Sequence, residues 1–215
     1  DVFGDMARQQ FITEGIHTDY VISDPNLPSG VALINVDAQG ENSITVASGA
    51  NGNLGIVDIE QADALFQVGD ILLIQLEIPL ETVWHTIKKA HNKGVKVILN
   101  PAPAAEIPDE IYPCLFALTP NETETELLTG IEVNSLGKAQ EAATILLNKG
   151  VAHMLITMGS QGAYYQSAET KNFIPTKQVQ AIDTTAAGDC FNGALAVALS
   201  NHSNWADRKS TRLNS

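Results

Sequence analysis

Two hydrophobic patterns divide the chain. From Val31 the run Val-Ala-Leu-Ile-Asn-Val enters a polar stretch, Asp37-Ala38-Gln39-Gly40-Glu41-Asn42, after which Ser43-Ile44-Thr45-Val46 alternates in polarity. Two β-prone runs around a turn rich in Gly, Asn and Asp predict a hairpin. Beyond about Leu54 the pattern changes to short apolar runs separated by longer amphipathic stretches. Ile71–Ile74, Val95–Leu99, Leu115–Leu118 and Met154–Ile156 read as strands. Val83, Ile87 and Ala90 keep helical spacing between the first two, as do Ala139, Ala142, Ala143, Leu146 and Leu147 before the last. Strands alternating with helices predict a mainly parallel sheet flanked by helices, so the expected class is α/β with a small β appendage.

In an open parallel sheet the C-terminal ends of the strands share one edge, where ligands bind. Just beyond the four predicted strands stand Gln75 and Glu77, Asn100, Asn121 with Glu124, and Thr157. Four separate segments are therefore expected to bring hydrogen-bonding or acidic groups to one rim.

Composition narrows the chemistry. A chain of 215 residues with 44% hydrophobic content can bury one sizeable core, as one large domain or two small ones. The formal charge of −13 argues against nucleic acid, whose backbone needs a basic surface. No apolar run reaches about 18 residues and no signal-peptide pattern opens the chain, so no membrane partner is expected and the expected compartment is cytoplasmic. Cys114 and Cys190 lack metal-ligand spacing and are expected as free thiols. His17, His85, His91, His153 and His202 show no ligand spacing either. No Gly-x-x-x-x-Gly-Lys-[Ser/Thr] occurs, which excludes a Walker-type nucleotide loop.

The most informative stretch is Asp183-Thr184-Thr185-Ala186-Ala187-Gly188-Asp189-Cys190-Phe191-Asn192-Gly193, followed by the helical Ala194–Leu199. Small residues before a helix let the backbone approach a ligand, and the unsatisfied amides of a helix N-terminus favour an anion. A carboxylate at Asp189 would then be placed to take a proton from an attacking hydroxyl. The structural alternative is capping of that helix by Thr185 or Asp183. Asn121-Glu122-Thr123-Glu124 is similarly double-edged: its spacing makes a capping box for a helix ending at Gly130. Thr157-Met158-Gly159-Ser160-Gln161-Gly162 reads as a hairpin turn before the apolar Ala163-Tyr164-Tyr165.

These stretches together resemble the ribokinase-like, or PfkB, family of carbohydrate kinases. Asp183 to Asp189 resembles the family signature, and Gly40-Glu41-Asn42, Gly49-Ala50-Asn51, Gln75-Leu76-Glu77, Leu99–Ala104 and Thr119–Glu124 occur in the family's order from Asp1 to about Ala206. The resemblance implies a ribokinase-like fold over residues 1–206, with a β lid at about 17–50. It implies ATP-dependent phosphorylation of a sugar, D-ribose at its 5-hydroxyl before deoxyribose, fructose or a nucleoside. A non-catalytic sugar-binding relative is the other class, and the intact Ala-Ala-Gly-Asp run speaks against it.

The residue roles implied by the resemblance are specific. Asp189 is the general base and a sugar contact, with the amides of Ala186, Ala187, Gly188 and Asp189 as the anion hole. Glu77 binds sugar hydroxyls. Asn121 and Glu124 organise Mg²⁺ through water, while Asn121, Thr157, Met158, Gly159, Ser160, Gln161, Gly162 and Gly188 line the ATP site. Asp183 and the Thr185 carbonyl hold an activating K⁺. A homodimer through the lid is expected of the full-length enzyme. The resemblance implies an opening strand that carries an Asn-x-Asp sugar contact and leads into a Gly-Gly-Lys-Gly-Ala-Asn loop, and a closing adenine segment; the chain does not open on that strand and loop, which implies truncation at both ends and an inactive fragment. Residues 207–215 are the codon-by-codon translation of GATCGGAAGAGCACACGTCTGAACTCC, which resembles a sequencing-library adapter, and are read as a non-native tail.

Overall fold

A computed structural model describes residues 1–36, 42–177 and 184–201. The chain forms two compact units, one of Asp1–Leu65 with Glu77–Thr82 and the other of Phe66–Leu76 with the chain from Val83 onward.

In the first unit, α1 (Val2–Thr13) is capped by Asp1, whose Oδ1 accepts from the Gly4 amide at 2.8 Å and whose Oδ2 accepts from the Ser29 amide at 2.7 Å. One carboxylate thus caps the helix and pins the segment that leads into the hairpin. Strands β1 (Val31–Val36) and β2 (Asn42–Ala47) pair antiparallel, with Leu33 opposite Thr45 and Ile34 opposite Ile44. The hairpin is where alternation placed it; the tip at residues 37–41 lies outside the described residues. A short α2 (Ile56–Gln61) follows, its entry fixed by Asp58 Oδ2 accepting from the Gly55 amide at 2.8 Å.

The second unit carries a six-stranded sheet in the order β3 (Ile71–Ile74), β4 (Lys96–Leu99), β5 (Ala117–Leu118), β6 (His153–Thr157), β7 (Gly162–Ser167), β8 (Lys171–Pro175). The first four strands run parallel, β7 pairs antiparallel with β6, and β8 pairs antiparallel with β7 and so returns to the direction of the first four. Val97, Ile98 and Leu99 are all fully buried, as expected of a parallel strand covered on both faces, where the sequence shows an unbroken apolar run instead of alternation. Helix α3 (Leu80–Asn92) buries Val83, Ile87 and Ala90 completely, and α5 (Leu136–Asn148) does the same with Ala139, Ala142, Ala143 and Leu146. Between them α4 (Glu122–Thr129) follows β5, and α6 (Ala187–Ser200) follows the β7–β8 pair.

Two expected boundaries shift. β5 begins at Ala117 rather than Leu115, because Tyr112–Cys114 form a 3₁₀ turn closed by the Leu115 amide donating to the Tyr112 carbonyl. α6 begins at Ala187 rather than Ala194, so Ala187, Gly188 and Asp189 lie inside the helix's first turn. Leu195 and Leu199 of α6 pack against Ile98, Ala117, Leu155 and Tyr165 of the sheet. Burying two leucines contributes about 1.5–3 kcal/mol each, enough to clamp the helix, and with it Asp189, onto the strands.

Candidate active site

The entry to α6 is built on backbone strain. Ala186 caps the helix in the left-handed region at φ 60°, a conformation that costs a residue with a Cβ about 1–2 kcal/mol and tends to persist at functional sites. Its methyl group offers no acceptor, and no side chain of the capping residue closes the first turn. The Cys190 amide donates to the Ala186 carbonyl at 2.9 Å and the Ala187 amide to the Thr184 carbonyl at 3.2 Å. Among the described residues, the amides of Gly188 and Asp189 make no hydrogen bond, and residues 184–190 are exposed. Two amides at an open helix N-terminus can receive an anion. Of the four amides expected in the anion hole, that of Ala187 is engaged within its own turn.

Asp189 does not stand alone at that entry. Its Oδ1 accepts from Gln75 Nε2 at 3.1 Å, and the same Nε2 donates to Asn100 Oδ1 at 3.0 Å. Asn100 Nδ2 donates to the Thr119 carbonyl at 3.1 Å, the Thr119 hydroxyl donates to Asn192 Oδ1 at 2.7 Å, and Asn192 Nδ2 donates to the Gly188 carbonyl at 2.9 Å. The ends of β3, β4 and β5 are thereby joined to the first turn of α6. The sequence marked Gln75 and Asn100 as rim residues without giving them a role, and gave none to Thr119 or Asn192. One signal was present: an asparagine on the apolar run of a helix, three residues after the candidate base, needs a buried partner.

The second cluster sits at the exit of β5. Asn121 and Glu124 form a reciprocal capping box: the Glu124 amide donates to Asn121 Oδ1 at 2.8 Å, the Asn121 amide donates to Glu124 Oε2 at 2.9 Å, and Asn121 Nδ2 donates to Glu124 Oε1 at 3.1 Å. The helix ends at Gly130 in the left-handed conformation, as the spacing predicts. Burial holds the Glu124 carboxyl above the usual carboxylate range, and the Asn121 amide opposes that shift.

The Thr157–Gly162 segment lies beside this box. The Thr157 amide donates to the Pro120 carbonyl at 3.0 Å, and the Met158 amide donates to the Gly162 carbonyl at 2.8 Å, closing the turn through Gly159–Gln161. A Cβ on Gly159 would stand 3.8 Å from Glu122 Oε1, and a Cβ on Gly162 would enter the Ile174 carbonyl. Gly162, at φ 129°, is thus required by the close approach of β8 in a conformation that residues with a Cβ rarely adopt.

The remaining expected residues are distributed otherwise. Glu77 is exposed and belongs to the first unit. Thr185 lies in the exposed turn before Ala186, and Asp183 lies outside the described residues, as does the tail at 207–215.

Comparison with known proteins shows the family and the fold. The model of the pfkB family carbohydrate kinases matches residues 1–211. The chain is 42% identical to the ribokinase of Haemophilus influenzae, over 93% of this chain and 65% of that protein. It is 39% identical to the deoxyribokinase of Salmonella typhi, over 91% of this chain and 64% of that protein. The crystal structure of a ribokinase from Thermotoga maritima superposes with a TM-score of 0.83 at 37% identity, over 97% of this chain and 68% of that one. The ribokinase-like α/β fold expected from the sequence is the fold found. The chain spans about 65% of the length of the curated relatives.

Proposed function

The chain belongs to the pfkB family of carbohydrate kinases, and from that premise we propose that it carries the phosphoryl-transfer centre of an ATP-dependent ribokinase acting on the 5-hydroxyl of D-ribose. The observation that carries the proposal is Asp189 in the first turn of α6, beside two amides with no partner among the described residues and tethered to the strand ends. Asp189 accepts the proton of the sugar hydroxyl as its oxygen attacks the γ-phosphorus of ATP. The bond from that phosphorus to the β–γ bridging oxygen breaks, ADP leaves with the electron pair, and the sugar keeps the phosphoryl group. The amides of Gly188 and Asp189 face the charge on the transferring group, where fixed dipoles act most strongly. Ala186 and Ala187 shape that turn. Asn121 and the turn from Thr157 through Met158, Gly159, Ser160, Gln161 and Gly162 take the nucleotide, and Glu77 takes sugar hydroxyls.

Both oxygens of Glu124 are already held by Asn121, which suits a carboxylate acting on Mg²⁺ through its waters rather than as a direct ligand. The ion supplies neutralisation of the phosphate charge. Since burial raises the folded-state pKa of Glu124, its contribution to stability is present below the unfolded glutamate value and is lost as pH rises through the folded one; at neutral pH its ionised form is a net cost. Glu124→Gln removes that ionisation cost but replaces one of the two oxygens that accept from Asn121 with a donor, so the melting temperature at pH 7 is expected to change little, while kcat falls about 10–100-fold, as for other groups that orient a metal shell. A clear fall in melting temperature with full kcat would refute both halves.

The Thr185 carbonyl and Asp183 are assigned to an activating K⁺. A homodimer through the β1–β2 lid belongs to the same proposal, supported by Leu33, Ile34, Ile44 and Val46, all exposed on that two-stranded sheet. No helix among the described residues is long and apolar enough to cross a membrane, and a cytoplasmic location is part of the proposal.

A second reading, phosphorylation of 2-deoxyribose, is favoured by the near-equal identity to a deoxyribokinase. The deciding experiment follows ADP release with ribose, 2-deoxyribose and fructose in matched potassium and sodium buffers, using the kinase extended to the length of its relatives. The proposal expects the highest kcat/KM with ribose and a faster rate in potassium. A higher kcat/KM with 2-deoxyribose selects the second reading, and no sugar-dependent ADP in any arm removes the kinase assignment.

A further inference from the structure

Resting on the reading of Asp189 as the base, we propose that Gln75 is its positioning residue and decides which carboxylate oxygen receives the substrate proton. A carboxylate's terminal torsion is broad, and Asp189 is exposed, so nothing intrinsic to the residue aims it. Gln75 does so through the 3.1 Å contact to Oδ1.

The sense of that contact is fixed from its far end. The Thr119 carbonyl can only accept, so Asn100 turns Nδ2 toward it and leaves Oδ1 for Gln75. Facing an amide oxygen, Gln75 must present Nε2, and the second proton of that group points at Asp189. An independent arm has the same logic: the Gly188 carbonyl can only accept, so Asn192 donates Nδ2 to it and leaves Oδ1 for the Thr119 hydroxyl. Asn100 is 7% exposed, Thr119 2% and Asn192 3%, and an unmade bond at such depth is costly. The arms meet at Thr119, one on its carbonyl and one on its hydroxyl, and each has its sense fixed by a backbone carbonyl. Both the carboxylate of Asp189 and the backbone of its helical turn are thereby held to the end of β5.

With Oδ1 engaged by Gln75, Oδ2 becomes the oxygen that takes the proton. Among the described residues no hydrogen bond reaches it. Because misplacement by about 1 Å can cost about 10²-fold in rate, loss of the tether should appear in turnover rather than in binding.

The test is a double-mutant cycle on the kinase extended to the length of its relatives. Gln75→Met keeps length and removes the donor; kcat is expected to fall about tenfold, the worth of one charge-assisted hydrogen bond, with sugar KM nearly unchanged and the melting temperature lowered by the loss of the donor to buried Asn100 Oδ1. Gln75→Glu keeps the shape and sets a carboxylate against Asp189, and is expected to fall further at neutral pH. In an Asp189→Asn background, Gln75→Met is expected to change the residual single-turnover rate by less than about twofold, because the side chain it still holds no longer takes a proton. If Asp189→Asn keeps full turnover, the base reading falls and this inference with it. If Asp189→Asn is slow while Gln75→Met and Gln75→Glu match the parent, Gln75 is not a positioning residue and the base reading survives. Equal losses from Gln75→Met in both backgrounds would show that Gln75 acts independently of Asp189 and would likewise overturn the proposal.

Discussion

Asp189→Asn is expected to lower kcat by about 10² to 10⁴-fold, the usual contribution of a general base, with sugar affinity changed only a few-fold. The substitution isolates the chemistry. Asparagine has the shape of aspartate, and its amide oxygen can still accept from Gln75 Nε2 where Oδ1 does now. Asp189 is exposed in the first turn of α6, so no buried charge is lost and no cavity is made. The helix itself is held by Leu195 and Leu199 against the sheet, far enough along the chain to be indifferent to the change. What disappears is the ability to bind the hydroxyl proton. Steady-state kinetics with saturating MgATP, beside sugar binding measured by calorimetry, separate the two effects. Turnover within tenfold of the parent would remove Asp189 from the mechanism.

The parts of the fold legible in the sequence are those specified by local pattern. The β1–β2 register follows from alternation, β4 from an apolar run of strand length, and the ends of α4 from Asn121, Glu124 and Gly130, whose cap chemistry acts over a few residues. Other elements carry weaker patterns. β8, Lys-Asn-Phe-Ile-Pro, is an edge strand with only half-buried apolar residues, so no clean alternation marks it. α1 buries none of its residues and has no sharp apolar stripe. The start of α6 is not legible in the sequence, because the small residues of Ala-Ala-Gly-Asp read as loop, whereas the helix begins through the left-handed turn at Ala186.

The candidate site was legible to a different depth. Parallel strands sharing an edge brought Gln75 and Asn100 into hydrogen bonding, as the rim argument expects. The partners that matter most are separated by 114 residues for Gln75 and Asp189 and by 73 for Thr119 and Asn192. No periodicity in a single sequence reports such pairs; they exist only after the sheet has ordered its strands.

The 215-residue chain by itself is expected to show sugar-dependent ADP formation at least about 10³-fold below that of a version extended at both ends by the flanking codons of the native gene. Catalysis of phosphoryl transfer is mostly positioning plus electrostatic stabilisation, and effective molarities in well-oriented sites reach about 10⁵ M or more. On the proposal that substrate contacts lie outside these 215 residues, their loss forfeits much of the rate even when the base is intact. The chain spans about 65% of the length of these relatives, and it exposes large apolar residues. Val2, Phe3 and Met6 of α1 are 71%, 64% and 65% exposed. β3 stands at the sheet edge with Leu73 exposed, and an uncovered apolar edge strand invites association. The short chain is therefore also expected to aggregate at concentrations where the extended one stays dispersed, which light scattering measures directly. Equal kcat/KM in the two proteins, with equal scattering, would show that the 215 residues are a sufficient catalytic body.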